Sequence, residues 1–248
     1  GEALKTRSMW RPAIEALSAS VKLVDADDVR DALDALRAEH GFRVIDYKTE
    51  SDAAEPRMCI NFSEGLPSDV GDLQKFVSID GREPQNLTVE GPQLCLDGLE
   101  HGKRYEVQLR AGLPSTVGEN LPKAAEIAVY VRDRSPSVRF SGRAYVLPNR
   151  GQQGIPVVSV NATKAKIEIL RIGDRGLAGA TSLDGFLKQV QSYELETIRD
   201  RTGQRVWVGE LDIASRLNEE VTTAIPVSEA VPNLAPGVYL VIASPAEK

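Results

Sequence analysis

Apolar residues along this chain keep two different periods, and the change falls near residue 41. Over residues 11–40 they recur every three to four positions. In DADDVRDALDALRAEHG, Val29, Ala32, Leu33 and Leu36 share one helical face, with Asp25 where an N-cap belongs and Gly41 where a helix ends. A helix before it is predicted with Pro12 in its first turn and Ile14, Leu17 and Val21 on one side. From Phe42 the period is two. FRVIDYKTE, PRMCINF, LQKFVSID, QNLTVE, PQLCLDG, KRYEVQLRAG and AAEIAVYVRD read as short strands. Turn signals such as Glu64-Gly65, Asp80-Gly81, Gly91-Pro92 and His101-Gly102 separate them. Such a run of short strands over roughly 90 residues is the pattern of an immunoglobulin-like sandwich.

A second series begins after Ser135-Pro136, where proline disfavours both helix and central strand. VRFSGRAYVLP, GIPVVSVNA, KAKIEILRIG, YELETIRDRTG, RVWVGELDI, VTTAIPVSE and GVYLVIASP form it, with a short helix predicted over Leu183–Gln191. The expected fold class is therefore all-β: two tandem antiparallel β-sandwich domains of fibronectin III-like type, with a short N-terminal helical segment. The boundaries read as 1–41 for the helical segment, 42–134 for the first sandwich and 135–248 for the second. Asp133 to Pro136 reads as the linker.

Size and charge narrow the partners. The chain has 248 residues, 42% of them hydrophobic, which is enough for two buried cores. A net charge of -6 argues against nucleic acid and anionic membrane as partners. No stretch approaches the ~20 apolar residues of a membrane span, so direct membrane insertion is not expected. The chain opens without Met or an export signal and closes just after a strand, and so reads as a piece of something longer.

Cys59 and Cys95 are the only cysteines. By alternation Met58, Ile60 and Phe62 point to the core, and so do Leu94 and Leu96, which turns both cysteines to the other face. Counting strands places them on the second and fifth, antiparallel neighbours in one sheet of such a sandwich. Directly opposite residues there lie within the span of a disulfide, and a bridge implies an oxidising compartment. The competing reading is a pair of reduced, unrelated thiols.

Little else carries chemistry. His40 and His101 with the two cysteines match no compact zinc spacing, and no metal or cofactor is expected. There is no G-x-S-x-G elbow and no P-loop; Gly151 to Gly154 precedes a strand and reads as a hairpin loop. No catalytic residue can be nominated. Asn86-Leu87-Thr88 and Asn161-Ala162-Thr163 match the glycosylation sequon, a motif short enough to occur by chance. Arg132, Arg134, Arg139 and Arg143 form a basic cluster around the linker. They read as partners for acids across the two domains or for another protein.

The ordered phrases DYKTESDAAEPRMCINFSEGL, LCLDGLEHGKRYEVQLRAGLPS, YVRDRSPSVRFSGRAYVLP, GIPVVSVN and GVYLVIASP resemble the N-terminal part of the bacterial alpha-2-macroglobulin family. The likeness runs from about Val44 to Ala243. It implies macroglobulin domains in a periplasmic protein lipid-anchored to the inner membrane, which presents a bait segment and traps the protease that cuts it. Members often attach the protease through a thioester in a C-x-E-Q motif. Cys59-Ile60-Asn61-Phe62 and Cys95-Leu96-Asp97-Gly98 do not fit that motif, so the resemblance implies a non-catalytic N-terminal scaffold fragment. Its implied partners are proteases, met through the parent chain, and a further cell-envelope protein. The alternative reading is a stand-alone immunoglobulin-like adhesion or recognition module. A hydrolase on a β-sandwich would rest only on unassigned Ser and Asp residues.

Overall fold

The structure is a computed structural model, and it describes residues 1–142, 145–147, 154–173, 195–196, 198–227, 231 and 235–246. Two compact units divide the chain, Gly1–Asp133 and Arg134–Lys248.

The first unit opens with helices α1 (Glu2–Thr6), α2 (Trp10–Leu23) and α3 (Asp27–His40). Ala13, Ile14 and Leu17 of α2 close against Leu33 and Leu36 of α3, the faces that the helical period marks. Asp25 does not cap α3. The N-cap position falls one residue later, at Ala26, and the Asp25 carboxylate instead accepts from Arg30 Nε at 3.0 Å. Gly41 ends α3 in extended backbone, and a Cβ there would stand 2.4 Å from the Arg37 carbonyl oxygen. The sharp exit into the sandwich therefore requires glycine.

Seven strands follow: β1 (Val44–Glu50), β2 (Arg57–Phe62), β3 (Val77–Ile79), β4 (Leu87–Glu90), β5 (Gln93–Leu96), β6 (Lys103–Leu109) and β7 (Ala125–Val131). They form two antiparallel sheets, ordered β1-β2-β5-β4 and β3-β6-β7. That is the four-plus-three strand order of a constant-type immunoglobulin sandwich. Alternation buries Met58, Ile60, Leu94 and Leu96 from one sheet against Val107, Leu109, Ile127 and Val129 from the other. The β4–β5 hairpin turns through Gly91-Pro92, with Gly91 at φ +62, a conformation glycine adopts without steric cost. Part of the stretch expected as the third strand is helical. Asp69 Oδ1 accepts from Gly71 N at 3.0 Å and caps α4 (Val70–Gln74), leaving β3 only three residues.

The second unit holds β8 (Ser137–Phe140), β9 (Gly154–Val160), β10 (Lys164–Ile172), β11 (Gly203–Asp212), β12 (Val221–Pro226) and β13 (Val238–Pro245). Antiparallel sheets β11-β10-β13 and β12-β9-β8 enclose Ile155, Val157, Ala165, Ile167, Ile169 and Ile225. Within the stretch expected as a strand, YELETIRDRTG, Ile198–Thr202 is a π-helical turn that leads into β11. The helix expected over Leu183–Gln191 lies outside the described residues. All-β architecture with a short helical segment is thus the fold.

Candidate functional site

Cys59 and Cys95 are directly opposed in the β2–β5 register and joined by a disulfide, with Cα atoms 4.0 Å apart and an S–S length of 2.06 Å. Both point away from the sandwich core, as alternation requires, yet they are only 6% and 0% exposed. Long polar side chains occupy the same face. Lys48 stands opposite Cys59 on β1 and Thr88 opposite Cys95 on β4. Arg57 donates to Glu50 on β1 at 2.8 Å and to Glu90 on β4 at 3.2 Å, so its ion pairs reach both edge strands. The hydrogen bond from Arg57 holds the Glu50 carboxyl below the usual carboxylate range. A cross-link shielded in this way is structural, since attack on it needs an approaching thiolate.

With both sulfurs in the bridge, neither cysteine can ligate a metal. The two histidines are engaged separately. His40 stacks on Trp10 at 3.9 Å between ring centroids, and a ring nitrogen of His101 lies 2.9 Å from the Ser51 carbonyl oxygen. Among the described residues no group of three His, Cys, Asp or Glu side chains could hold a metal ion.

Three arginines of the linker region have acidic partners within their own units. Arg132 grips Asp52 with both terminal guanidinium nitrogens, Nη1 at 3.0 Å. Arg134 and Arg139 converge on Glu220, at 3.4 and 2.9 Å. The hydrogen bond and charge of Arg139, seconded by Arg134, hold the Glu220 carboxyl below its ordinary range. Arg143 lies outside the described residues.

Three further polar centres lie among the described residues. Asn161 and Asn218, both at positive φ, bond to each other and to the backbone of Arg134. The side-chain amide of the Asn161 sequon is thereby engaged. Glu168, 7% exposed on the outer face of β10, accepts from Arg199 of the π-helical turn at 3.0 and 2.5 Å and from Arg205 of β11 at 2.9 Å. Burial alone would raise its pKa; the two arginines outweigh burial and lower it. Glu119, between β6 and β7, meets Arg11 and Arg37 from α2 and α3. Glu168, a charge in the middle of KIEIL, is the one centre with a trace in the sequence. The others depend on residues far apart in the chain, 57 positions for Asn161 and Asn218 and 108 for Arg11 and Glu119.

No helix among the described residues is long and apolar enough to cross a membrane. The bacterial alpha-2-macroglobulin MG2 domain family matches residues 139–248, nearly all of the second unit. An alpha-2-macroglobulin of Xylella fastidiosa (strain 9a5c) is 30% identical over 219 residues, 83% of this chain and 13% of that protein. That of Escherichia coli K12 is 22% identical over 162 residues, 62% of this chain and 10% of its own length. Among solved structures, Salmonella alpha-2-macroglobulin reacted with methylamine superposes with a TM-score of 0.54 at 19% identity. It covers 84% of this chain and 13% of that one. At that identity the likeness concerns the fold. The chain spans about an eighth of the Xylella relative's length. An alignment of 219 residues must run through both units, and with the matching family domain and shared fold it establishes that this chain belongs to the bacterial alpha-2-macroglobulin family.

Proposed function

We propose that this chain is a non-catalytic scaffold segment, from the N-terminal part, of a larger protease-trapping protein of the periplasm. The observation that carries the reading is the extent of the match: 83% of this chain against 13% of the Xylella protein. A segment that small supplies framework, and proteases meet the parent protein elsewhere along its length. Both cysteines are spent on the Cys59–Cys95 bridge, so no thiol of this segment serves a thioester. The bridge needs an oxidising compartment, which supports a periplasmic location. Lipid anchoring of the parent to the inner membrane and docking on another envelope protein complete the proposal.

Two measurements test it. An antibody raised against the chain, used on fractionated source cells, should detect a membrane-associated periplasmic band several times larger than 27.0 kDa. The isolated chain, titrated against a broad panel of endopeptidases, should leave them fully active. Stoichiometric inhibition by the chain alone would overturn the division of labour. The immunoglobulin strand order of the first unit favours a second reading, a free-standing recognition module. A native band of the chain's own size would establish that reading and dismiss the first.

A further inference from the structure

Within Gly1–Asp133 there are two apolar clusters, and they share no residue. One lies between α2 and α3, where Ala13, Ile14, Leu17, Leu33 and Leu36 are buried. The other fills the sandwich and starts at Phe42. Two carboxylates of the sandwich, Glu64 and above all Glu119, receive the arginines of the helices. Arg11 of α2 pairs with Glu64, in the connection after β2, and its Nη1 lies 2.7 Å from Glu119 Oε2. Arg37 of α3 stands with Nε 3.9 Å from Glu119 Oε1, which accepts no hydrogen bond and is held by charge. Glu119 Oε2 also accepts from Phe42 N at 2.9 Å, where the chain leaves α3 for β1. The Glu119 side chain is only 9% exposed. Its backbone is pinned by Ser115, whose hydroxyl donates to the Glu119 carbonyl at 2.7 Å and accepts from its N–H at 3.2 Å.

We infer that the α2–α3 pair is a releasable cover, held on the sandwich by a charge clasp centred on Glu119 and not by a common apolar core. Elements that share a core open together, whereas elements joined by a few directed contacts open at their own lower free energy. A helical pair with five buried residues has little stability to spare once undocked. The clasp is also abrupt in action. Removing one member of a buried ion pair leaves the other charge uncompensated, so the contact fails as a whole. Burial acts against the Arg11 charge, and Glu119 and Glu64 more than restore it, which raises its pKa. The cover is thus seated by charges that have no equivalent partner when it lifts. This inference concerns the first unit alone and does not depend on the protease-trapping reading.

Hydrogen–deuterium exchange of the full 248-residue chain tests it, in Glu119→Gln and in Arg11→Gln. Amide exchange across α2 and α3 should rise at least tenfold in both variants, while β2 and β5 exchange at the wild-type rate. Arg11→Gln acts from the helix side and leaves the bond from Phe42 N to Glu119 in place. It therefore decides the matter where Glu119→Gln disturbs its own loop. Helix exchange unchanged in Arg11→Gln, or β2 and β5 accelerating equally with the helices, would overturn the inference.

Discussion

Breaking the Cys59–Cys95 bridge should weaken the first unit by about 4 kcal/mol, the entropy of a loop closed across 36 residues in the chain-entropy treatment. In a unit of this size that loss corresponds to a fall in Tm of roughly 10–15 °C. Urea unfolding can divide the effect into its parts. The difference between oxidised and reduced wild type measures the cross-link alone. The difference between reduced wild type and the double variant Cys59→Ala, Cys95→Ala measures the packing of two sulfurs that are almost wholly buried. Far-UV circular dichroism follows the chain as a whole. Trp207 on β11 reports the second unit by fluorescence once Trp10 is replaced by Phe, because the chain has only these two tryptophans. The Trp207 transition should keep its midpoint while the dichroism transition of the first unit moves to lower urea. An oxidised-minus-reduced difference below about 1 kcal/mol would refute the reasoning, since native bridges normally contribute 2–5 kcal/mol. So would a shift that appears in the Trp207 signal instead.

Other outcomes follow from the same contacts. Glu168→Gln removes the charge that Arg199 and Arg205 share, and should cost the second unit about 2 kcal/mol by urea unfolding, below the roughly 3–5 kcal/mol of a fully buried pair because both arginines remain partly exposed. The folded pKa of Glu168 is depressed, so its contribution is complete above the ordinary Glu pKa and is lost as pH falls through the lower folded value. Wild-type and Glu168→Gln stabilities should therefore converge in acid below about pH 4, and a gap that widens there would contradict the sign. Asn218→Ala withdraws the side-chain oxygen that accepts from Arg134 N and Asn161 Nδ2. Thermal unfolding should register about 1–3 kcal/mol, the cost of withdrawing one acceptor from two half-buried donors and of holding alanine at φ +61. Gly41→Ala forces a Cβ towards the Arg37 carbonyl oxygen and should disorder the end of α3, visible as a loss of ellipticity at 222 nm without loss of the disulfide.

Most of the fold was legible because its signal is local. The break from a period of 3.6 to a period of 2 at residue 41 marks where α3 gives way to β1, and alternation placed Met58, Ile60, Leu94 and Leu96 in the core. Where sequence pattern and structure differ, a local competitor prevails. Asp69, an N-cap, turns the head of the expected third strand into α4. The stretch before Gly203 alternates well enough for a strand. It forms a π-helical turn instead, from which Arg199 reaches the buried Glu168. At the start of α3 the side chain chosen as cap had a stronger partner nearby in Arg30.

Sequence by itself determined the class of this protein, the faces of its strands and the strands on which its two cysteines lie, while the bridge between them is seen in the structure. Each of these follows from a repeat of two residues and from the few ways seven antiparallel strands can close on one core. The partners of its charges were decided only by the tertiary structure. Arg132 with Asp52, Arg134 with Glu220 and Arg11 with Glu119 are separated by 80, 86 and 108 positions, and nothing in the pattern of either partner marks the other. An apolar residue needs only a face, which periodicity supplies. A buried charge needs one particular atom within about 3 Å, and only the folded chain brings that atom there.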